Sequence, residues 1–202
     1  MMLGGVPMDD ERTTRELMEQ LGEDCDRCHA LLVACIDVGE VDDDGNVHTE
    51  YEFYARQLIR AVFAYIEATT FSVKAWSAGH CMEQGIEITP QERYFASDTE
   101  YELNERGDVV EAVAKISLAR NIRFALAMNS KAHGVAQPFD ASVEWWACLR
   151  KAIKIRDRLT HPKMPGDLDV DGDDIVTVLK ARRGFEDEIL RVGASMRLSS
   201  QI

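Results

Sequence analysis

Apolar residues recur at intervals of three and four along most of this chain, the spacing that collects them on one face of an α-helix. The strongest such signal lies at residues 51–78, a segment that contains neither glycine nor proline. Two apolar stripes run along it, so we expect this helix to be buried on more than one side and to form the centre of a bundle. Further amphipathic helices are predicted at residues 8–37, 118–132 and 174–196, and one more ends at Leu159.

The segments between the predicted helices carry turn signals. Residues 38–49 contain an Asp-Asp-Asp-Gly run and are expected to form a turn. Residues 85–116 are less periodic. Within them, two short apolar runs flank residues 104–108, a pattern that predicts either a small β-hairpin near residues 100–113 or only a loop.

Polar residues and a proline mark the ends of the last two predicted helices. Asp140 or Ser142 is expected to cap the helix that follows it. His161 stands before a proline, and because such a residue is pushed out of the helical region, the helix should stop there. One aspartate of the acidic loop at residues 167–174 is expected to cap the final helix.

The organisation of the chain predicts one compact unit. There is no internal repeat, no linker rich in serine or glycine and no break in composition. We therefore expect an all-α bundle, in which residues 1–50 supply an N-terminal helix and turn packed on a helical domain at residues 51–202.

The charge balance narrows the function classes. The 202 residues include 23 Lys and Arg against 36 Asp and Glu, a net charge of −13, which excludes binding of nucleic acid through overall charge. Only a local basic patch could do so. Residues 1–14 have no cationic start and no apolar run of signal-peptide length, so we expect no signal peptide. No apolar run is long enough for a membrane span, and five scattered cysteines suit a reducing compartment. A cytoplasmic protein without membrane contact is predicted.

One segment, residues 148–163, reverses this charge. It holds six basic side chains and one acidic side chain, a net charge of +5. Arg156 follows Ala152 by four residues and Leu149 by seven, which places it at the edge of the apolar stripe. An arginine at such a border is half desolvated, with its fork of donors held for a phosphate or a carboxylate.

His161 follows where the same helix is expected to end. The helix dipole favours the cationic form of a histidine there, and imidazoles move protons near neutral pH. Together, an imidazole and a guanidinium can cleave RNA without a metal, because the first moves the ribose 2′-hydroxyl proton and the second stabilises charge on phosphorus. One copy of each is half a site, which a second subunit could complete across a two-fold axis.

The run from Arg156 to His161 resembles the Arg-polar-three-any-His signature of the HEPN superfamily, the higher eukaryotes and prokaryotes nucleotide-binding domains. Many members are metal-independent RNases built as helical bundles. The resemblance implies a homodimeric site in which Asp157 orients Arg156 and His161, with Glu67, Lys163 and Arg158 in support. The tyrosine that some members carry two residues after the histidine is Lys163 here, which argues against regulation by tyrosine modification.

The predicted function is therefore a metal-independent endoribonuclease of the toxin or phage-defence type, needing no metal or cofactor, with RNA as substrate and an antitoxin or other protein as a further partner. The alternative is a non-catalytic HEPN-like module that binds a nucleotide or a protein, with the basic patch as a recognition surface only. Glu67 lies within an apolar helix, and we expect it to be a buried carboxylate paired with Arg60 or Arg156.

Two other motifs have simpler interpretations. The run from Cys25 to His29 spells a c-type haem attachment sequence and could also hold zinc, but its cysteines fall on the apolar face of a helix. Residues 167–174 copy half of a calcium loop, yet the glutamate expected at its twelfth position is Val178. A similar stretch at residues 40–51 also lacks a glutamate at its twelfth position, which is Tyr51. Core thiols and capping aspartates are the favoured interpretations.

Overall fold

The computed structural model describes residues 8–38, 49–135 and 139–199, with side chains over residues 13–36, 50–135 and 139–193. These residues form α-helices and one small antiparallel sheet, so the predicted all-α class and the small hairpin are both confirmed. In chain order the elements are α1 Met8–Val38, α2 Thr49–Glu83, α3 Pro90–Ala96, β1 Thr99–Leu103, β2 Val109–Val113, α4 Leu118–Ala132, α5 Glu144–Thr160, a 3₁₀ turn at Pro165–Leu168, and α6 Gly172–Ser199. Most of the predicted turn at residues 38–49 lies outside the described residues.

The described residues pack into two compact units. Among the described residues, the helical unit comprises those of Met8–Ala68 and Ala141–Glu186, and the hairpin unit comprises those of Thr69–Asp140 and of 187–199. Helices α2 and α6 each contribute residues to both units. The division at residue 50 that the sequence suggested stays a prediction.

The helical unit is built around the first half of α2. As the two apolar stripes predict, this half is buried on more than one side, and six of its side chains are at most 2% exposed. Helices α1, α5 and α6 contribute the facing residues. The buried residues of this unit include Cys25, Leu32, Ala55, Leu58, Ile59, Val62, Phe63, Ile66, Leu149, Ala152, Val178 and Phe185.

Helices α5 and α6 approach closely at Gly184. A Cβ atom at this position would lie 2.3 Å from the Cβ atom of Trp145, a separation that side chains do not tolerate. Glycine is therefore required at this contact, and the contact holds α5, the helix that carries Arg156, against α6.

The start of α5 differs from the prediction. Neither Asp140 nor Ser142 is the N-cap residue; Val143 occupies that position and makes no side-chain capping bond. The helix begins after this hydrophobic residue with Glu144. The negative charge of Glu144 in the first turn interacts favourably with the positive end of the helix dipole. The predicted end of α5 is confirmed, since His161 follows its last residue.

The hairpin unit has its own core, where the end of α2 meets α3 and α4. Its buried members are Ala78, Cys81, Ile88, Ala96, Met128 and Ala132. Helix α3 was not predicted, because seven residues are too few to show periodicity. Its start is nevertheless marked in the sequence: Thr89 and Glu92 form a capping box around Pro90.

Searching the described helices for a stretch that could cross a membrane finds none of sufficient length and apolarity.

Candidate functional site

The end of α5 positions the two groups of the predicted site. The backbone N–H of His161 donates to the carbonyl oxygen of Asp157 at 3.0 Å, which closes the last helical turn. Thr160 donates its hydroxyl to the carbonyl oxygen of Arg156 at 2.8 Å. Pro162 then prevents the helix from continuing. Arg156 is thus one turn inside the helix, and His161 lies just beyond it.

Arg156 connects α5 to α2. Its guanidinium donates to the carboxylate of Glu67 on α2 and, at 3.0 Å, to that of Asp157. The guanidinium carbon lies 5.8 Å from the centre of the buried Phe63 ring. The Arg156 side chain is 27% exposed, which confirms the predicted half-desolvated position at the edge of the apolar stripe.

The partner of Glu67 is therefore Arg156 and not Arg60, which lies exposed on the surface. The expectation that Glu67 is buried is wrong, since 42% of its side chain is exposed. Glu67 lies on α2 beside the partly exposed edge of α5, where its carboxylate is accessible to water.

Arg156 keeps donors for a ligand. A guanidinium has five N–H groups, and two of those of Arg156 are used by Glu67 and Asp157 within the described residues. The other N–H groups are not used by these two bonds. The guanidinium is oriented by the two carboxylates and lies near the Phe63 ring. Such a guanidinium is prepared to bind one more oxyanion.

The imidazole of His161 is exposed and makes no hydrogen bond or ion pair with the part of the chain that the structure describes. Both of its nitrogens are open to a ligand or to water. Five residues along an ideal helix correspond to about 140° of rotation and about 7.5 Å of rise, so one copy presents the two groups in different directions. A site that uses both groups on one phosphate is completed most simply by a second copy.

The other predicted site residues differ in their surroundings. Asp157 contacts the guanidinium of Arg156, as the predicted orienting role would require, and its carbonyl oxygen accepts the backbone N–H of His161. Lys163 is exposed two residues after His161, and its ammonium makes no hydrogen bond or ion pair within the described ranges. It can therefore contribute positive charge to an incoming phosphate.

Arg158 is committed elsewhere. It donates to the carbonyl oxygens of Asp167, at 3.1 Å, and Asp169, and to the carboxylate of Asp174 at the start of α6. These bonds fix the acidic loop against α5. Any support that Arg158 gives to the site is therefore indirect, through the position of this loop.

The acidic loop itself is organised by capping. The carboxylate of Asp167 accepts the backbone N–H groups of Lys163 at 2.7 Å and Met164 at 3.0 Å, bonds that lower the pKa of Asp167. Asp171, immediately before α6, accepts the N–H of Asp174 at 2.8 Å, which confirms that an aspartate caps this helix.

An open cavity of about 380 Å³ lies beside this loop, lined by Glu52, Arg158 and three of the aspartates. The carboxylate of Asp167, which would be the first ligand of a calcium loop, accepts two backbone N–H groups instead. Across the described residues, no group of three or more His, Cys, Asp or Glu side chains is arranged to hold a metal ion.

The Cys25 to His29 motif lies on α1, with Cys25 fully buried in the helical unit and His29 exposed. Burial raises the pKa of the Cys25 thiol to about 11, and it also raises the pKa of Cys28. Metals bind the thiolate form, so these protonated thiols are poor ligands, and a role of Cys25 in the core is favoured.

The structure also contains a buried ionic group that the sequence analysis missed. The side chain of Lys74 is 0% exposed, and its ammonium donates to the carboxylate of Asp98, to the side-chain oxygen of Asn121 at 2.8 Å and to the carbonyl oxygen of Phe95 at 3.3 Å. Asp98 has a φ of 54°, which non-glycine residues seldom adopt. A lysine within an otherwise apolar helix was the available signal.

A ring cluster in the hairpin unit was also missed. Trp76 stacks on His80, one helical turn later, with ring centres 4.9 Å apart, and His133 lies 5.1 Å from Trp76 and 6.0 Å from His80. Burial and the neighbouring His80 lower the pKa of His133, whose Nδ1 is buried without a hydrogen-bond partner in the described structure. The spacing of Trp76 and His80 was visible in the sequence.

Comparison of the chain with protein-family models, with curated proteins and with solved structures finds no match. The candidate site at Arg156 and His161 therefore depends on its geometry and its residue chemistry.

Proposed function

We propose that this protein is a metal-independent endoribonuclease whose active site combines Arg156 and His161 from two copies of the chain. The observation that carries the proposal is an exposed imidazole, without a hydrogen-bond partner among the described residues, at the end of the helix that also holds a pre-oriented guanidinium. Both groups lie in the segment of net charge +5, in a chain whose net charge is −13. That local positive charge favours an anionic substrate at this place.

In the proposed reaction, His161 removes the proton of a ribose 2′-hydroxyl, and the oxygen attacks the adjacent phosphorus. The bond from phosphorus to the 5′-oxygen then breaks, and that oxygen takes a proton from the second copy of His161. The products are a 2′,3′-cyclic phosphate and a 5′-hydroxyl. Arg156 stabilises the negative charge that develops on the phosphoryl oxygens.

Glu67 and Asp157 have a positioning role in this scheme. Their carboxylates hold the guanidinium of Arg156, so less orientational freedom is lost when a phosphate binds. Lys163 adds an exposed positive charge one residue beyond Pro162. A toxin or phage-defence role, with an antitoxin or other protein as regulator, belongs to the same proposal and is based on the HEPN resemblance.

The test is cleavage of varied RNAs by the purified protein in EDTA. We expect 2′,3′-cyclic phosphate ends and a rate that falls on the order of 100-fold or more in His161→Ala, since general acid–base catalysis contributes 10²–10⁴-fold. Arg156→Lys keeps the charge but loses the planar fork, and we expect it to cleave slowly as well. His29→Ala and Arg27→Lys are matched controls, because both residues are exposed on α1 and lie outside the basic segment at residues 148–163.

Thermal denaturation of each variant separates lost chemistry from lost folding. Cleavage that is equal in wild type and His161→Ala would overturn the proposed mechanism. Wild-type protein that is folded but inert on all RNAs would support the binding module instead. In that case Arg156 and Lys163 should still be needed for retention of a nucleotide or a protein ligand.

A further inference from the structure

The β-hairpin exposes an apolar face. The register pairs Leu103 with Val109, Tyr101 with Glu111 and Thr99 with Val113, so these six side chains share one side of the sheet. Three of them are among the most exposed large apolar residues described, with Leu103 at 71%, Val109 at 69% and Val113 at 75%. β-Branched residues on an exposed strand favour pairing with another strand.

The hydrogen bonds at the two ends of the hairpin define which backbone groups are free. Ala114 donates its N–H to the carbonyl of Asp98 at 2.9 Å, and Asn104 donates its N–H to the carbonyl of Asp108 at 3.0 Å. Hydrogen-bonded and non-hydrogen-bonded pairs alternate along an antiparallel ladder. Counting inward from both ends, the pairs 100–112 and 102–110 are the hydrogen-bonded ones.

The N–H and C=O groups of Val109, Glu111 and Val113 therefore point away from β1. The sheet has two strands, and no described residue outside the hairpin bonds to these groups. The outer edge of β2 thus combines unpaired backbone donors and acceptors with exposed apolar side chains. These are the features to which an extended peptide adds as a further strand.

The charge of the hairpin indicates what kind of partner would bind at the edge of β2. Thr99–Val113 contains five acidic residues and one basic residue, a net charge of −4, with Glu111 in the middle of β2. A second copy pairing antiparallel about the centre of β2 would place Glu111 opposite its own equivalent, and like charges directly opposite are destabilising. RNA is disfavoured by the same acidic surface.

We propose that the outer edge of β2 binds an extended segment of a basic partner protein, in which valine-sized apolar residues alternate with lysine or arginine. The segment adds as a third strand, its basic side chain opposite Glu111 and its apolar side chains opposite Val109 and Val113. This surface lies in the hairpin unit, and its role does not depend on the ribonuclease activity.

The probe is a fluorescein-labelled peptide, Thr-Val-Thr-Lys-Thr-Val-Thr, whose binding to the full chain is measured by fluorescence anisotropy. A second peptide has Glu in place of Lys. From the strength of cross-strand charge pairs, we expect the Lys peptide to bind roughly 2- to 30-fold more tightly than the Glu peptide. Glu111→Lys should reverse this preference, whereas Glu105→Lys, an equal charge change in the turn, should keep it.

Val113→Pro tests the edge itself. It removes an N–H that points away from β1, so the hairpin and the melting temperature should be retained while the Lys peptide is lost. No binding of the Lys peptide, equal affinity for the two peptides, or binding unaffected by Val113→Pro would each overturn the proposal. So would a wild-type dimer that Val113→Pro converts to a monomer, because the occupant would then be a second copy.

Discussion

Replacing Gly184 by alanine is expected to destabilise the protein, although alanine is the better helix former. At this position α6 meets α5, and the added Cβ atom would lie 2.3 Å from both the Cβ and the Cγ atoms of Trp145. The Cβ atom of Trp145 is fixed to the backbone, so no change of rotamer can remove it. The helices must separate, or both side chains must distort.

The magnitude follows from two opposing terms. Alanine in place of glycine within a helix contributes about 1 kcal/mol of stability. Overpacking of a well-packed contact costs about 1–3 kcal/mol, and contact with a backbone-attached atom places this case at the upper end. The net loss is about 1–2 kcal/mol, which lowers the melting temperature by about 2–8 °C for a chain of this length.

The matched control is Gly193→Ala on the same helix. No atom lies within 4 Å of a Cβ atom built there, so only the helix-propensity term applies. We expect this variant to gain up to about 1 kcal/mol and to melt about 2–4 °C higher than wild type. Thermal denaturation followed by circular dichroism measures both. If Gly184→Ala melts at or above wild type while Gly193→Ala behaves as expected, the close contact between α5 and α6 is refuted.

Two further predictions concern the hairpin unit. Lys74→Met leaves the carboxylate of Asp98 without its cation and should lower the free energy of unfolding, measured with urea, by about 3 kcal/mol. This is the lower end of the range for a broken buried pair, because Asp98 stays partly exposed. An unchanged urea midpoint would contradict the network around Lys74. Because the pKa of His133 is lowered on folding, its contribution to stability is complete above about pH 6.5 and is lost as the pH falls below that value. His133→Phe, which keeps a ring against Trp76, should flatten the dependence of melting temperature on pH between about 7 and 5, and parallel wild-type and variant profiles would contradict this.

The positions of the long helices could be read from the sequence because helical burial is periodic over a few residues. The apolar stripes of residues 51–78 predicted the buried first half of α2. Its end was placed five residues early, because Gly79 remains inside the helix and the chain turns only at Gly85, with a φ of 68°. The sequence alone does not show which of these two glycines adopts the positive φ that ends the helix.

The contacts of the candidate site depend on residues distant in sequence, so the pattern could only partly predict them. The border position of Arg156 was predictable, because it depends on its own helix. Glu67 was expected to pair with Arg60 or Arg156, and the sequence could not decide between them, because 89 residues separate Glu67 from Arg156 and their meeting depends on how α2 packs against α5. The exposure of Glu67 was mispredicted for the same reason. An apolar stripe shows which side of the helix a residue lies on, but it does not show whether another helix covers that side chain.

The ion pairs of Arg156 also determine how the proposed enzyme would use binding energy. Two carboxylates already hold the guanidinium, so a phosphate in the ground state gains the remaining donors in competition with Glu67 and Asp157. In the proposed reaction, that competition would weaken binding of the substrate, whose phosphodiester carries a single charge. As the 2′-oxygen attacked, negative charge on the phosphoryl oxygens would increase and the same donors would bind them more strongly. A guanidinium restrained in this way would therefore favour the transition state over the substrate, which is the condition for raising the rate of the chemical step.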